Sequence, residues 1–484
     1  MDENKIKLLS RRDFLRSASL FTAAGVLAAC TGGAAQRVEQ PAAAEQPAEA
    51  AATEEAAAAE EAGAAAPAGE AITVQYWFGW GGNYAGNAWD TMKGLDKFKE
   101  VVGENITVEP SGSSGGEKLL TAVAAGTPPD GASNIQYLDY MARGVLVPID
   151  DWVAASSIVK KENYLEGNWN DGFYQGTMYG VPANECFLRY GLNYNAKMVE
   201  AAGLDPDSPP ETWSECFEWH QALTQFDEAG NLKQIGLDPY DAMGGQIGIQ
   251  DGFYPPVSWG WQWFNADTGE FDLDNEMMAE AFDVMGEFYK LAGPDNMAGM
   301  RQVEGQGAWG GSFNTEVQAM IIEGYWHPGE SMLEKPEVGE FNRTTWAPVP
   351  DSRRGTKVQG YGGHYVIIFN DSINKEAMFK VAEFLNTNEA CDVIFETVGW
   401  LPALIPFLDT VDPTTFPGLQ FYFDSVEQAT EWSSPARCPI TAFVSTTYQQ
   451  LREAHYREQM TAPEAAAEFQ TRVEEEWINA GFGG

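Results

Sequence analysis

The stretch ITVQYWF at 72–78, with the fifty residues after it, decides the fold. Ile72, Val74 and Tyr76 alternate with Thr73 and Gln75, the period of a strand. Gly79-Trp80-Gly81-Gly82-Asn83 reads as a turn, WDTMKGLDKFKEVV at 89–102 as a helix, and ITVE at 106–109 as a second strand. Residues 111–116 form a loop, and EKLLTAVAA at 117–125 is a helix stopped by Gly126-Thr127-Pro128-Pro129. Strand, helix, strand, helix implies an open α/β sheet with helices on its faces. Ligands of such sheets bind beyond the carboxyl ends of the strands, where loops 79–83 and 111–116 lie.

The pattern continues downstream. Residues 213–226 have helical spacing, with Thr212 as N-cap after Pro209-Pro210. In 275–292 a clearer helix carries Met278, Ala281, Phe282, Met285, Phe288 and Tyr289 on one face, capped by Asn275 and ended by Gly293-Pro294. Segments 319–326, 345–348 and 365–369 read as strands, and 375–385 and 463–478 as amphipathic helices. No tandem repeat of fixed period is present.

Upstream, Ser10-Arg11-Arg12-Asp13-Phe14-Leu15-Arg16 carries a twin arginine, followed by small and apolar residues at 17–29. That is an export signal, too short to stay across a membrane, and the twin arginine points to export of a folded protein. It ends in Leu27-Ala28-Ala29-Cys30, which looks like a bacterial lipobox, so Cys30 is expected to be lipidated and to become the mature N-terminus. Residues 31–71 are almost wholly Ala, Glu, Pro, Gly, Gln and Thr. They cannot bury enough apolar surface to offset ordering entropy and read as a solvated spacer.

The chain is net −42; the signal carries +2 and the spacer −7, which leaves −37 on residues 72–484. Charge of that sign repels nucleic acid and anionic headgroups, so neither is expected as a partner. The folded part is longer than one core usually holds, so two lobes are expected. Beyond Cys30 there are four cysteines, Cys186, Cys216, Cys391 and Cys438, without metal-ligand spacing. Disulfides or buried thiols both fit. His220, His327, His364 and His455 lie far apart and form no zinc motif.

Several stretches in order resemble the family 1 extracellular solute-binding proteins of ABC importers, the group that contains maltose-binding protein. They are Tyr76 to Gly82; Lys118 to Asp130, leading to Gly144-Val145-Leu146-Val147-Pro148-Ile149-Asp150-Asp151; and Met178-Tyr179-Gly180-Val181-Pro182, then Leu192-Asn193-Tyr194-Asn195 and Ala201 to Trp213. Later come Gln318 to Trp326, Gly362 to Ile368 with Asn374 to Ala377, and Gly399-Trp400-Leu401-Pro402-Ala403. Two departures stand out: His364 replaces the usual tryptophan after Gly-Gly, and Cys186-Phe187-Leu188 occupies a usually polar hinge strand.

The resemblance implies two α/β lobes that close over a ligand. Lobe one is expected at 72–187 plus 364–388 and lobe two at 188–363 plus 389–484. Crossings are expected at 185–191, 360–365 and 385–390. It further implies a monomeric, non-enzymatic, cofactor-free receptor on the extracytoplasmic face of the membrane. It would hold to the membrane only by its lipid and deliver a carbohydrate to the transmembrane subunits of an importer.

The residues expected to touch ligand follow from sugar chemistry, which combines C–H faces with a rim of hydroxyls. Sixteen tryptophans occur in the chain, many in loops, and of these Trp80, Trp259, Trp261, Trp326 and Trp400 are the candidate aromatic platforms. In Trp259-Gly260-Trp261-Gln262-Trp263 the alternation would put three rings on one face. Ordinary core packing is the competing role for each ring. Asn83, Asn134, Gln136 and His364 supply polar groups near strand ends, while Glu185 and Arg189 lie at the first crossing. A carboxylate accepts two hydroxyl protons and a guanidinium donates several. A hinge ion pair is the competing role for Arg189.

Two other functions fit parts of the sequence. The charge of −37 suits a cationic ligand, a polyamine or a peptide. Gly112-Ser113-Ser114-Gly115-Gly116 matches the nucleophile elbow of a serine hydrolase using Ser114, but Pro110 and Ser111 already separate it from the strand. Asn265 to Asp274 hints at calcium, but lacks the spacing of a calcium loop and reads as a turn leading to the Asn275 cap.

Overall fold

A computed structural model describes residues 70–78, 84–112, 116–134, 137–183, 185–240, 253–300 and 311–483. The export signal, Cys30, nearly all of the spacer and the Ser114 loop lie outside the described residues. Ten strands form two five-stranded sheets. They are β1 (Ile72–Phe78), β2 (Ile106–Ser111), β3 (Gly131–Asn134), β4 (Gly180–Pro182), β5 (Gly191–Asn195), β6 (Gln225–Phe226), β7 (Leu232–Leu237), β8 (Gln318–Glu323), β9 (Asn342–Thr345) and β10 (Tyr365–Ile368). The helices used below are α1 (Tyr84–Gly94), α2 (Gly116–Ala125), α3 (Tyr137–Ala142), α4 (Glu166–Asp171), α5 (Trp213–Leu223), α6 (Glu276–Ala292), α7 (Trp326–Glu334), α8 (Lys375–Leu385), α9 (Asn388–Val398), α10 (Thr441–Tyr456) and α11 (Ala462–Asn479).

The first sheet runs β2-β1-β3-β10-β4. β1 is parallel to β2 and β3, and β10 enters antiparallel between β3 and β4. Val74, Tyr76 and Phe78 are buried while Thr73 and Gln75 are exposed, so the alternation at 72–78 does select the core face. The second sheet runs β9-β5-β8-β7-β6. Its central strand β8, QAMIIE, is buried at every position, as a strand covered on both faces must be. Each sheet has its own large apolar cluster.

The helices form where their caps and apolar faces dictate. Thr212 caps α5 by accepting from Glu215 N, and Asn275 caps α6 by accepting from Met278 N. Thr461 and Glu464 make a reciprocal capping box at α11. Four boundaries differ clearly from the sequence reading. The helix expected at 213–226 ends at Leu223, and Gln225–Phe226 pairs with β7 as the edge strand β6. The helix expected at 89–102 is two, broken at Leu95. The strand expected at 319–326 stops at Glu323, because Gly324 and Tyr325 turn the chain and α7 begins at Trp326. The strand expected at 345–348 is paired at Asn342–Thr345 instead. The Asn265 to Asp274 segment is a short hairpin, Phe264–Asn265 with Glu270–Phe271, whose turn is held by Asn265 Oδ1 accepting from Asp267 N at 3.0 Å.

The chain passes between the sheets after β4 and returns before β10. Helix α9, assigned by the sequence reading to lobe two, packs mainly against α1, also touching α8 and, from lobe two, α7. Its buried residues Ala390, Cys391, Ile394 and Val398 join the cluster that contains β1. All four described cysteines are separate buried thiols.

Candidate functional site

The site is built where the carboxyl ends of β3, β4 and β8 meet the crossings. Ser133, near the end of β3, donates its hydroxyl to Glu185 Oε1 just after β4. His364 Nδ1 lies 3.0 Å from the same oxygen, and His364 N donates to Glu185 O at 3.2 Å. Gly363 makes this approach possible. A Cβ there would lie 2.5 Å from Cys186 Cα, and its φ of +148° is strained for any other residue. Glu185 is 4% exposed, and its second oxygen, Oε2, is buried without a hydrogen-bond partner in the structure. A buried acceptor left that way costs about 1–3 kcal/mol, so this oxygen has capacity to accept a hydrogen bond from a group that enters.

The chain that follows β8 of the second sheet supplies further groups, Tyr325 and Trp326 joining the apolar cluster of the first sheet. Trp326 opens α7, and its indole N–H donates to Glu323 Oε2 at 3.0 Å. His327 Nδ1 is also 3.0 Å from that oxygen. The Arg189 guanidinium lies over the Trp326 ring, 5.0 Å from its centroid. Such stacking keeps a guanidinium in place while leaving its in-plane N–H groups aimed outward. Arg189 is held at the crossing through its backbone N–H, which donates to Gly360 O at 3.1 Å. One turn along α7, Glu330 Oε1 accepts from the Trp400 indole N–H at 2.6 Å. Trp400 stands edge-on to His364, with ring centroids 6.0 Å apart. Burial pushes the Glu330 carboxyl well above the usual range; Glu323 adds to this and the Trp400 hydrogen bond opposes it.

Five of the eleven expected ligand residues, Glu185, Arg189, Trp326, His364 and Trp400, are therefore brought together from four stretches of chain. Trp80, Asn83 and Gln136 lie outside the described residues, as does the side chain of Asn134. Trp259 is a correction. It is 4% exposed and stacks on Trp213 at 6.0 Å within the second lobe's core. The alternation of 259–263 does not put rings on one face, because Pro255–Trp259 is helical and Gly260 turns the chain at φ +79°. Trp261 packs half-buried on that core, edge-on to Phe253, and donates to Asp272 O at 2.8 Å.

Sequence reasoning missed Ser133, Glu323 and Glu330. A usable signal existed for the last two: a carboxyl ending the apolar run of β8, and another four residues after Trp326, on the same helical face. A surface groove of about 560 Å³ on the second lobe, lined by Glu211, Glu215, Trp346 and Arg354, is a weaker candidate. There Arg354 is already paired with Glu215 at 2.8 Å and Glu211 at 3.7 Å.

Two α/β lobes joined by crossing segments, with polar and aromatic groups gathered near their sheet ends, define a two-lobed binding protein. The chain belongs to the bacterial extracellular solute-binding protein family, whose model matches residues 81–390. Among solved structures it is similar to an ABC substrate-binding protein of Listeria monocytogenes in complex with cycloalternan (18% identity, TM-score 0.66, 84% of this chain and 99% of that one). It is also similar to an ABC transporter solute-binding protein of Thermotoga lettingae bound with α-D-tagatose (20%, TM-score 0.67, 85% and 100%). A third is the sugar-binding protein MalE of Xanthomonas citri (20%, TM-score 0.61, 84% and 98%). At these identities the likeness is one of fold. No curated protein matches the chain in sequence.

Proposed function

We propose that this protein captures a neutral sugar or oligosaccharide between its lobes and delivers it to the membrane subunits of an ABC importer. It does so as an extracytoplasmic lipoprotein tethered through Cys30. The observation that carries the ligand class is the pairing of Glu185, whose buried Oε2 lacks a hydrogen-bond partner, with the Arg189–Trp326 stack. A fixed acceptor, a fixed donor and a flat ring are what a sugar's hydroxyls and C–H face require. The sugars bound by the fold's relatives from Listeria and Thermotoga support the same class. The lipobox and polar spacer support the tether.

A thermal-shift screen with mono- and oligosaccharides, polyamines and peptides tests the reading, since a ligand that binds only the folded state raises Tm. A sugar is expected to give the shift, and to give it with little change between low and moderate salt. The acidic wall of Glu323 and Glu330, with the −37 charge, favours a cationic ligand as the second reading. A polyamine or peptide whose binding collapses with salt would replace the sugar.

A further inference from the structure

Below the crossings, the six-residue helix α4 ends in an acid that none of the contacts above accounts for. The helix is pinned from several sides. Asn168 Nδ2 donates to Gly362 O at 3.2 Å, and the Tyr365 hydroxyl donates to Asn168 O. Gly172, the next residue after the helix, lies so close to β4 that a Cβ would sit 2.3 Å from Gly180 O. Asp171 is thereby held 4% exposed with little freedom to reach water.

Its carboxyl is poorly satisfied. Oδ1 lies 3.7 Å from Arg437 Nη1, beyond hydrogen-bond distance, and that nitrogen donates instead to the Asp171 backbone oxygen at 3.1 Å. Oδ2 is buried with no hydrogen-bond partner in the structure. The Tyr137 hydroxyl, at the start of α3, is also buried without one. The charge of Asp171 acts on that phenol, as do the guanidiniums of Arg437 and Arg189. Arg437 comes from the segment that leads into α10 in the second lobe's core, whereas Asp171 and Tyr137 belong to the first lobe. The Tyr137 ring lies 4.5 Å from that of Tyr365, whose hydroxyl donates to Asn168 O on the helix of Asp171, so two polar atoms without hydrogen-bond partners, an acceptor and a hydroxyl, sit near each other on the side of the first lobe that Arg437 of the second approaches.

We infer that Asp171 and Tyr137 form a second polar subsite of the ligand cleft, with Asp171 accepting a hydrogen bond from a ligand hydroxyl when the lobes close. This rests on the sugar-capture reading and names the ligand's required feature: a hydroxyl-bearing ring or residue extending from the Glu185 group toward α4. The competing role for Asp171 is a closure contact with Arg437 that never touches ligand.

The test uses calorimetry with the sugar identified in the thermal-shift screen and its series of singly deoxygenated analogues, on wild type, Asp171→Asn, Tyr137→Phe and Arg437→Gln. Asp171→Asn is expected to weaken binding by tenfold or more. One deoxy analogue is expected to lose about tenfold against wild type but little against Asp171→Asn, the signature of a direct contact. Near-UV circular dichroism of each unliganded variant checks that it is folded. Tyr137→Phe supplies a near-isosteric second readout should Asp171→Asn fail that check. The inference is overturned if every analogue loses as much against the variants as against wild type. It is also overturned if Asp171→Asn, Arg437→Gln and the double variant that combines them all weaken binding equally, which is closure alone. Wild type that binds no sugar in the screen overturns the capture reading itself, before any variant is made.

Discussion

Trp326 and Trp259 are both nearly buried indoles, and their surroundings separate their roles. Trp326 lies under Arg189 and beside Glu323 at the meeting of the lobes, while Trp259 stacks on Trp213 inside one lobe. Trp326→Ala is expected to lower sugar affinity by about 1–3 kcal/mol, roughly five- to two-hundred-fold. Trp259→Ala is expected to lower stability by about 3–5 kcal/mol and leave the affinity of the folded fraction unchanged. Calorimetry and denaturant unfolding on both variants check the pair, and equal affinity losses would refute the assignment. Asp171 adds a pH signature. Burial pushes its carboxyl up to about 7, while Arg437 and then Arg189 pull the other way. An unfolded aspartate titrates near about 3.9, so between these values the folded chain keeps a proton that the unfolded chain has released. Stability is therefore expected to fall as pH rises through that window and to level off above it. Asp171→Asn should flatten this slope in denaturant titrations between about pH 4 and 8. Parallel slopes in the two proteins would rule it out.

At the scale of elements, local chemistry and long-range packing make different demands. Asn275 and Thr461 act locally, each satisfying a backbone N–H that the first helical turn leaves open. Asn275→Ala and Thr461→Ala are each expected to cost about 1 kcal/mol of stability with no effect on ligand affinity, read by unfolding and calorimetry. Gly363 acts at long range. Any side chain there would strike the backbone of Cys186 and Glu185, on the other crossing. Gly363→Ala should displace His364 from Glu185 and weaken ligand binding more than it weakens the fold, and a crystal structure of the variant would show the separation. The caps were legible in the sequence because capping is decided within four residues. The Gly363 contact was legible only as a Gly-Gly pair, because its partner lies some 180 residues away.

For the whole molecule, the proposed capture of a sugar by groups from both lobes would make closure depend on ligand, since only the closed state gathers every contact. Small-angle scattering is expected to show a smaller radius of gyration on adding sugar, and an unchanged radius with saturated binding would exclude closure. At the other end of the chain, lipid holds a soluble domain durably when two or more acyl chains insert, each buried methylene contributing about 0.8 kcal/mol. Cys30→Ala should free the protein into the medium or leave its signal uncut. Mass spectrometry of an unmodified mature chain starting elsewhere would overturn the tether.

The sequence by itself determined the α/β class, most helices and strands, the two-lobe expectation and the crossing that carries Glu185 and Arg189. Those features follow from periodicity, caps and turn residues, which act over a few positions, or from the order of family-like segments along the chain. The tertiary structure alone decided which tryptophans pack among apolar residues of one core and which lie against charged groups at the crossings, as Trp326 does. An indole's role depends on what packs against it, and the 259–263 alternation carries no such information. The same holds for Ser133, Glu330 and Asp171: an ordinary serine and two of 71 acidic residues in the sequence, they become notable only when folding buries them, the first two in hydrogen bonds with Glu185 and Trp400 and the third with its Oδ2 lacking a hydrogen-bond partner.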